Sequence, residues 1–169
     1  IIVIGDEILS GRTQDTNSNF IAKSLAEEGI RLDEIIIIKD HKETIIKTVL
    51  QYSSKYYYVF TTGGIGPTHD DITSESISEA FNLKYVINED AFNILEKYYP
   101  KGEFNESRQR MAKMPTGSEL LLNPMTAAPG FRIKNVYVLP GVPEIMQIMF
   151  LELIKKIKKG KPKLVITIN

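Results

Sequence analysis

The sequence predicts a single α/β domain with a mostly parallel sheet. Short apolar runs rich in β-branched residues alternate with segments whose apolar residues recur at helical spacing, and this alternation is typical of βαβ units. The chain has 169 residues, of which 43% are hydrophobic, and this is enough to build one core. Because there is no internal repeat or low-complexity stretch, we expect one domain over residues 1–160.

Strands and helices alternate strictly in the first half of the chain. The predicted elements are strand 1–4, helix 16–28, strand 33–39, helix 41–53, strand 56–61 and helix 71–81. Asp15 is placed to cap the first helix, and Gly29 follows it as glycines that end helices do. Asp40 and Glu43 have the spacing of a capping box at the second helix. A glycine-rich loop joins the third strand to the third helix.

The second half predicts further helices and a hairpin. The elements are helix 89–99, helix 106–113, strands 119–122, 130–133 and 136–139, and a last helix running from residue 143 into the lysines before residue 160. Asn135 fits the turn of the hairpin, and Pro143 fits the first position of a helix. The hairpin makes the expected sheet mixed. Residues 161–169 predict a final strand or the start of a further element.

Composition excludes several classes of function. With no cysteine, the chain cannot form disulfides, thiolate zinc sites or a cysteine nucleophile. Its 21 basic and 21 acidic residues balance, so we expect no nucleic-acid partner. No apolar run approaches the roughly 20 residues that cross a bilayer, and no signal peptide is recognisable. We therefore expect a cytoplasmic protein with no membrane partner.

Two loops are expected to meet at the carboxyl edge of the sheet. Open parallel sheets bind ligands where connections from neighbouring strands leave in opposite directions. With the second and third strands on either side of the first, the crevice lies between residues 5–12 and residues 63–71. Gly63, Gly64 and Gly66 permit a backbone whose amides approach a phosphate closely. The alternative is a tight turn, because the loop matches neither a Walker A sequence nor GxGxxG.

Carboxylates border the same crevice. Asp70 and Asp71 end the glycine loop, where a carboxylate either binds a divalent cation or caps the following helix. One aspartate suffices for capping, which leaves the other free. Asp40 has the same two interpretations at the end of the second strand, and the capping box alone explains it.

Other polar residues offer weaker signals. Four further side chains carry groups that bind phosphate: His69, Arg12, Arg108 and Arg110. Lone histidines and arginines are, however, more typical of solvated surface. The tyrosines at positions 52 and 56–58 surround the start of the third strand, which is opposite the expected site. We therefore interpret them as packing residues.

Several ordered motifs resemble one family. The central motif is TGGIGPTHDDIT (62–73), and the others are GDEILSG (5–11), DTN (15–17), RMA (110–112), NP (123–124), APGF (128–131) and LPGVPE (139–144). Together they resemble the molybdopterin-binding domain that molybdenum-cofactor biosynthesis proteins share with the competence/damage-inducible protein CinA. The motifs outside the central loop point to the CinA branch. This resemblance implies a three-layer α/β/α sandwich.

The resemblance also implies a ligand and a reaction. In the molybdenum-cofactor members the pocket binds molybdopterin and its adenylylated form, with two aspartates near metal and phosphates that correspond to Asp71 and Asp40. CinA-like members are associated with metal-dependent hydrolysis of the pyrophosphate in ADP-ribose-like dinucleotides, and a relative in eukaryotic FAD synthase hydrolyses FAD. We expect a divalent metal ion held by Asp71 and Asp40, which are also the expected catalytic residues.

The expected ligand is a small pterin, such as molybdopterin, or a nucleotide. Its binding residues are expected to be Gly63, Gly64, Ile65, Gly66, Ser10, Gly11, Thr62, Pro140, Gly141 and Pro143. A noncatalytic binding module and a molybdopterin adenylyltransferase are the alternatives to a pyrophosphatase. The family resemblance also implies a homo-oligomer.

Overall fold

A six-stranded sheet forms the middle layer of the computed structural model, which describes residues 1–158. Its strands are β1 (Ile2–Ile4), β2 (Ile36–Ile38), β3 (Val59–Thr62), β6 (Glu119–Leu121), β7 (Gly130–Ile133) and β8 (Val136–Leu139). Their order is β2-β1-β3-β8-β7-β6. The first four are parallel, and β7 runs antiparallel to β8 and β6. The predicted mixed, mostly parallel sheet is confirmed.

A small antiparallel pair lies apart from this sheet. It consists of β4 (Tyr85–Ile87) and β5 (Lys113–Pro115), with Val86 opposite Met114. Neither strand was predicted from the sequence, and the helix predicted over residues 106–113 is wrong at its end. Helix ends at residue 109 and a 3-10 turn, Arg110–Ala112, follows, because Met114 must turn inward to be buried.

Helices cover both faces of the central sheet. They are α1 (Asp6–Leu9), α2 (Asn17–Glu27), α3 (Lys42–Lys55), α4 (Thr73–Ala80), α5 (Glu89–Tyr98), α6 (Glu106–Gln109) and α7 (Pro143–Ile154). One core joins the sheet to α3, α4 and α5, and a second core joins it to α2 and α7. Val59 and Phe60 point into different cores, as neighbouring strand residues do. The three-layer sandwich is confirmed.

Most of the residues predicted to begin or end helices are confirmed in that role as well. Asp15 caps α2, since the backbone N–H of Ser18 donates to its Oδ1 at 3.1 Å. Gly29 ends that helix with a φ of 70°, and Pro143 begins α7. Helix α1 was not predicted, because its four residues are too few to show a period.

The end of the described chain differs from the expectation. The last helix stops at Ile154, and the chain then turns so that Ile157 is buried and the N–H of Lys158 donates to the hydroxyl of Tyr58. The strand predicted within residues 161–169, and with it the domain limit near residue 160, lies outside the described residues. Among residues 1–158, no helix has the length and apolar character needed to cross a membrane.

Candidate functional site

The predicted crevice lies at the carboxyl edge of the sheet. Strand β1 sits between β2 and β3, so the chain changes direction across the sheet between these two neighbours. The loop that follows β1 contains α1, and the loop that follows β3 contains the glycines. Their first residues, Gly5 and Gly63, leave adjacent parallel strands, and this places the two loops on either side of one crevice.

Gly63 brings the glycine loop close to β1. Its φ is 101°, and a Cβ at this position would collide with the carbonyl oxygen of Ile4. The N–H of Gly63 donates to the carbonyl of Leu139 at 3.1 Å and so extends the sheet. This corrects the expectation that all three glycine amides face a phosphate, because the amide of Gly63 already has an acceptor.

The next three amides remain available. Within residues 1–158, no acceptor pairs with the N–H of Gly64, Ile65 or Gly66. A Cβ on Gly64 would lie 3.4 Å from Asp40 Oδ1, and a Cβ on Gly66 would lie 2.7 Å from Asp71 Oδ2. A short stretch of backbone with free donors therefore runs between two carboxylates.

Asp71 shapes this loop without capping a helix. Its Oδ2 accepts the backbone N–H of Thr68 at 2.9 Å and also the Thr68 hydroxyl. Helix α4 begins two residues later, at Thr73, after Ile72. Because only Oδ2 is used within the described chain, Oδ1 of Asp71 is free to bind a cation.

Asp40 does not form the predicted capping box. Helix α3 begins at Lys42 without a side-chain cap, and Asp40 Oδ2 instead accepts the N–H of Asp6 at 3.1 Å. Burial raises the pKa of Asp40, and the negative charges of Glu7, Asp6 and Asp71 raise it further, against the opposing effect of the Asp6 N–H. The crevice therefore holds negative charge that a bound cation would compensate.

The carboxylates of Asp40 and Asp71 fit a hard divalent ion that is bound by few protein ligands. Among the described residues, no three side chains of histidine, cysteine, aspartate or glutamate are grouped to enclose an ion. Mg²⁺ and similar hard ions are commonly bound by one or two carboxylates, with phosphates and water completing the shell. Asp40 and Asp71 suit an ion that arrives with a phosphate ligand.

The remaining predicted residues divide into two groups. Gly141 packs against Gly63, since a Cβ on Gly141 would lie 3.3 Å from the Gly63 Cα, and this places residues 140–143 beside the crevice. Ser10 and Gly11 lie on the exposed end of the other wall. The Ser10 hydroxyl donates to the Glu7 carbonyl and accepts from Arg12 Nε, both at 3.2 Å. Their contact with a ligand stays a prediction.

A sequence model of the family described as a probable molybdopterin binding domain matches residues 1–159. The chain belongs to this family. The likeness to CinA is confirmed by a solved structure of the protein CinA from Thermoplasma acidophilum, which is 32% identical with a TM-score of 0.85. This match covers 91% of the present chain and 94% of that one.

Curated relatives agree with this assignment. A protein of Archaeoglobus fulgidus is 40% identical over 161 residues, which are 95% of the present chain and 69% of that protein. A CinA-like protein of a Sulfurihydrogenibium species is 37% identical over 171 residues. That match covers 96% of the present chain but only 43% of the relative, so the chain spans less than half of that protein's length.

Polar residues missed by sequence reasoning lie beside the crevice of this molybdopterin-binding domain: Asn17 lines a cleft together with Thr62, and the Thr73 hydroxyl lies against Gly64. Five buried side-chain oxygens lack a partner within residues 1–158, on Asn17, Ser18, Thr61, Thr62 and Thr73. Only Thr62 was expected to bind a ligand. The sequence signal was the DTN motif for Asn17, the end of the motif at 62–73 for Thr73 and, for Thr61, its place in a buried strand, where apolar residues are typical, whereas Ser18 had none.

The arginines and tyrosines outside the crevice have structural roles. Arg108 donates to the carbonyl of Glu103 and stacks over the ring of Tyr99, 4.3 Å from its centroid. Tyr52 and Tyr56 both donate to the carboxylate of Glu34, far from the carboxyl edge of the sheet. The interpretation as packing residues is confirmed for Tyr52, Tyr56 and Tyr58, which contact the cores, and is wrong for Tyr57, which is 73% exposed.

Proposed function

We propose that the chain is a metal-dependent nucleotide pyrophosphatase that cleaves ADP-ribose or a dinucleotide of similar build. The observation that carries this proposal is the run of free amides at Gly64, Ile65 and Gly66 between the carboxylates of Asp40 and Asp71. Backbone amides are good donors to phosphate oxygens, and paired carboxylates hold the cation that accompanies a pyrophosphate. The substrate class follows from the CinA-like character of the chain.

The proposed reaction is the addition of water across one P–O bond. The bond from one phosphorus to the bridging oxygen breaks, a bond to the water oxygen forms, and ADP-ribose gives AMP and ribose 5-phosphate. A bound divalent ion supplies charge neutralisation at the pyrophosphate. The three loop amides hold non-bridging oxygens, while Asp71 maintains the loop through Thr68. The N–H of Asp6 fixes the orientation of Asp40.

Product formation from ADP-ribose tests this proposal. The purified protein is expected to release AMP in the presence of a suitable divalent metal and none in EDTA. Asp71→Asn should lower kcat by at least about 100-fold, because it removes a charged ligand from the divalent ion that neutralises the reacting phosphates. The matched control is Asp70→Asn, which changes the exposed neighbouring aspartate and should leave kcat within about twofold. No AMP with any of several metals would reject a hydrolase.

A noncatalytic pterin- or nucleotide-binding module is the second candidate. The observation in its favour is that the described residues offer a pair of carboxylates and no third grouped ligand. Such a module should bind its ligand equally well in EDTA, and Asp71→Asn should leave the calorimetric Kd unchanged. Loss of binding in both conditions would favour the pyrophosphatase.

A role in molybdenum-cofactor biosynthesis is compatible with the family. It predicts that the protein forms adenylylated molybdopterin from molybdopterin and ATP. Detection of this product by mass spectrometry, without AMP release from ADP-ribose, would replace the first proposal with this one.

A further inference from the structure

A small polar cleft opens on the α2 side of the crevice. Its volume is about 50 Å³, and its polar walls include Glu7, Thr13, Asp15, Asn17 and Thr62 together with the backbone of Gly141. The glycine loop lies just beyond it, because Thr62 and Gly63 are consecutive. The cleft and the free amides thus belong to neighbouring parts of one crevice.

Two oxygen atoms of the cleft residues lack partners. The side chains of Asn17 and Thr62 are 6% and 1% exposed, and neither Asn17 Oδ1 nor Thr62 Oγ1 has a hydrogen-bond partner within residues 1–158. The orientation of the Asn17 amide is determined, since its Nδ2 donates at 2.8 Å to the carbonyl of Gly141, which can only accept. Buried polar atoms are rarely left unpaired, and those that are commonly await water or a ligand.

The hydrogen-bonding chemistry of these two oxygens determines which ligand group pairs with both of them. Asn17 Oδ1 only accepts hydrogen bonds, whereas the Thr62 hydroxyl donates or accepts. A hydroxyl group satisfies both atoms, because it donates one hydrogen bond while accepting another. The carboxylates of Glu7 and Asp15 disfavour a phosphate in the cleft, which leaves the phosphates to the glycine loop.

The volume of the cleft further limits which ligand groups fit in it. A water molecule occupies about 30 Å³ in the liquid, so a cleft of about 50 Å³ suits a hydroxyl-bearing corner of a ligand better than a pterin ring or a purine. Both orphan atoms are closed to bulk water, so a ligand hydroxyl reaches them only when the walls of the cleft shift slightly.

We propose that this cleft binds a hydroxyl of the terminal ribose, the sugar on the side of the pyrophosphate away from adenosine, in a substrate whose phosphates lie on the glycine loop. The inference rests on the proposed function and adds to it a preference for a pyrophosphate that carries a free sugar. Thr62 and Asn17 are the specificity-determining residues. A sugar joined directly to a phosphate places its hydroxyls close to the phosphate oxygens, as the adjacency of Thr62 to the loop requires.

A pair of non-hydrolysable probes isolates the sugar. The α,β-methylene analogues of ADP-ribose and of ADP differ by the terminal ribose, and their Kd values are measured by calorimetry with the same divalent metal. The wild-type protein should prefer the ribose-bearing analogue by roughly tenfold, as expected for one or two new hydrogen bonds. Thr62→Val should reduce this preference to about threefold or less, because it weakens binding of the ribose-bearing analogue more than binding of the ADP analogue.

Thr61→Val provides the matched control. Thr61 is also buried and also has an unpartnered hydroxyl, but it precedes Thr62 on β3 and so points to the opposite face of the sheet. Its variant should keep the wild-type preference. Both variants should fold with unchanged circular dichroism, since valine replaces a hydroxyl that has no partner.

Each outcome of these binding measurements either supports the sugar cleft or overturns it. Equal wild-type affinity for the two analogues overturns the sugar cleft and leaves the phosphate site intact, and so does an equal effect of the two valine variants. Binding of neither analogue overturns the pyrophosphatase proposal and the cleft together. A lost preference in Thr62→Val alone supports the inference.

Discussion

The negative charge of Asp40 opposes the stability of the folded protein but favours the metal binding of the proposed reaction. Its carboxylate is partly buried beside three other acidic groups, and these surroundings raise its pKa. The N–H of Asp6 only partly offsets this effect. Without a cation, the charged form of Asp40 therefore weakens the folded state, and the metal ion of the proposed reaction would offset this effect.

Asp40→Asn should separate the two effects. The amide oxygen can still accept the N–H of Asp6, while the buried charge disappears, so the metal-free variant should melt a few degrees above the wild type at pH 7. AMP release should fall to background. Scanning calorimetry and the ADP-ribose assay measure the two effects. Glu96→Gln, on the exposed face of α5, is the control and should change neither. A lower melting temperature for Asp40→Asn would contradict this account.

Position 63 requires glycine because of its backbone φ and its close approach to β1. Its N–H group is not the reason. Gly63→Ala would force an alanine into a φ of 101° and against the carbonyl of Ile4. We expect a loss of about 3 kcal/mol or more in the free energy of unfolding. Gly11→Ala also places alanine at a positive φ, 75°, but with nothing within 4 Å, and should cost about 1 kcal/mol. Equal losses in urea unfolding would show that the contact with β1 has no effect.

At the level of elements, one carboxylate joins the segment before β2 to helix α3. Glu34 accepts the hydroxyls of Tyr52 and Tyr56 and pairs with Lys55 at 3.0 Å. The hydrogen bond from Tyr52, followed by those from Tyr56 and Lys55, lowers the pKa of Glu34 from 4.5 to about 2. Because the pKa is lower in the folded state, this contribution to stability is present above about pH 4.5 and is lost as the pH falls towards 2.

Glu34→Gln should therefore destabilise the protein in a pH-dependent way. Urea unfolding should give a lower midpoint than the wild type at pH 7, and the difference should shrink between pH 4.5 and pH 2. Glu96→Gln, on the exposed face of α5, serves as the control and should give the same midpoint as the wild type at each pH. A difference for Glu34→Gln that persists at the lowest pH would argue against the loss of a charged hydrogen bond.

At the level of the whole molecule, the elements with strong local signals were predictable. Alternation of β-branched runs with helical periods identified the βαβ units, and Asn135 and Pro143 located the hairpin and the last helix. Strands β4 and β5 were missed because they pair only with each other and because Lys113–Pro115 contains no β-branched residue. Their formation depends on the burial of Met114, which is a tertiary effect.

The site was predictable to a similar degree. Strand order followed from topology, and it brought the glycine loop and Asp40 together as expected. Sequence spacing could not show that Asp40 pairs with Asp6 rather than with its own helix, or that Gly63 donates to Leu139. Both contacts join residues more than 30 positions apart. Assembly into a homo-oligomer stays a prediction, to be tested by light scattering.

A crystal structure with Mn²⁺ and the α,β-methylene analogue of ADP-ribose tests the central claim most directly. We expect anomalous density for Mn²⁺ between Asp40 and Asp71, with phosphate oxygens on the amides of Gly64, Ile65 and Gly66. Density for the analogue at the tyrosine-lined cavity of about 300 Å³ beside Glu34, with an empty glycine loop, would contradict the account.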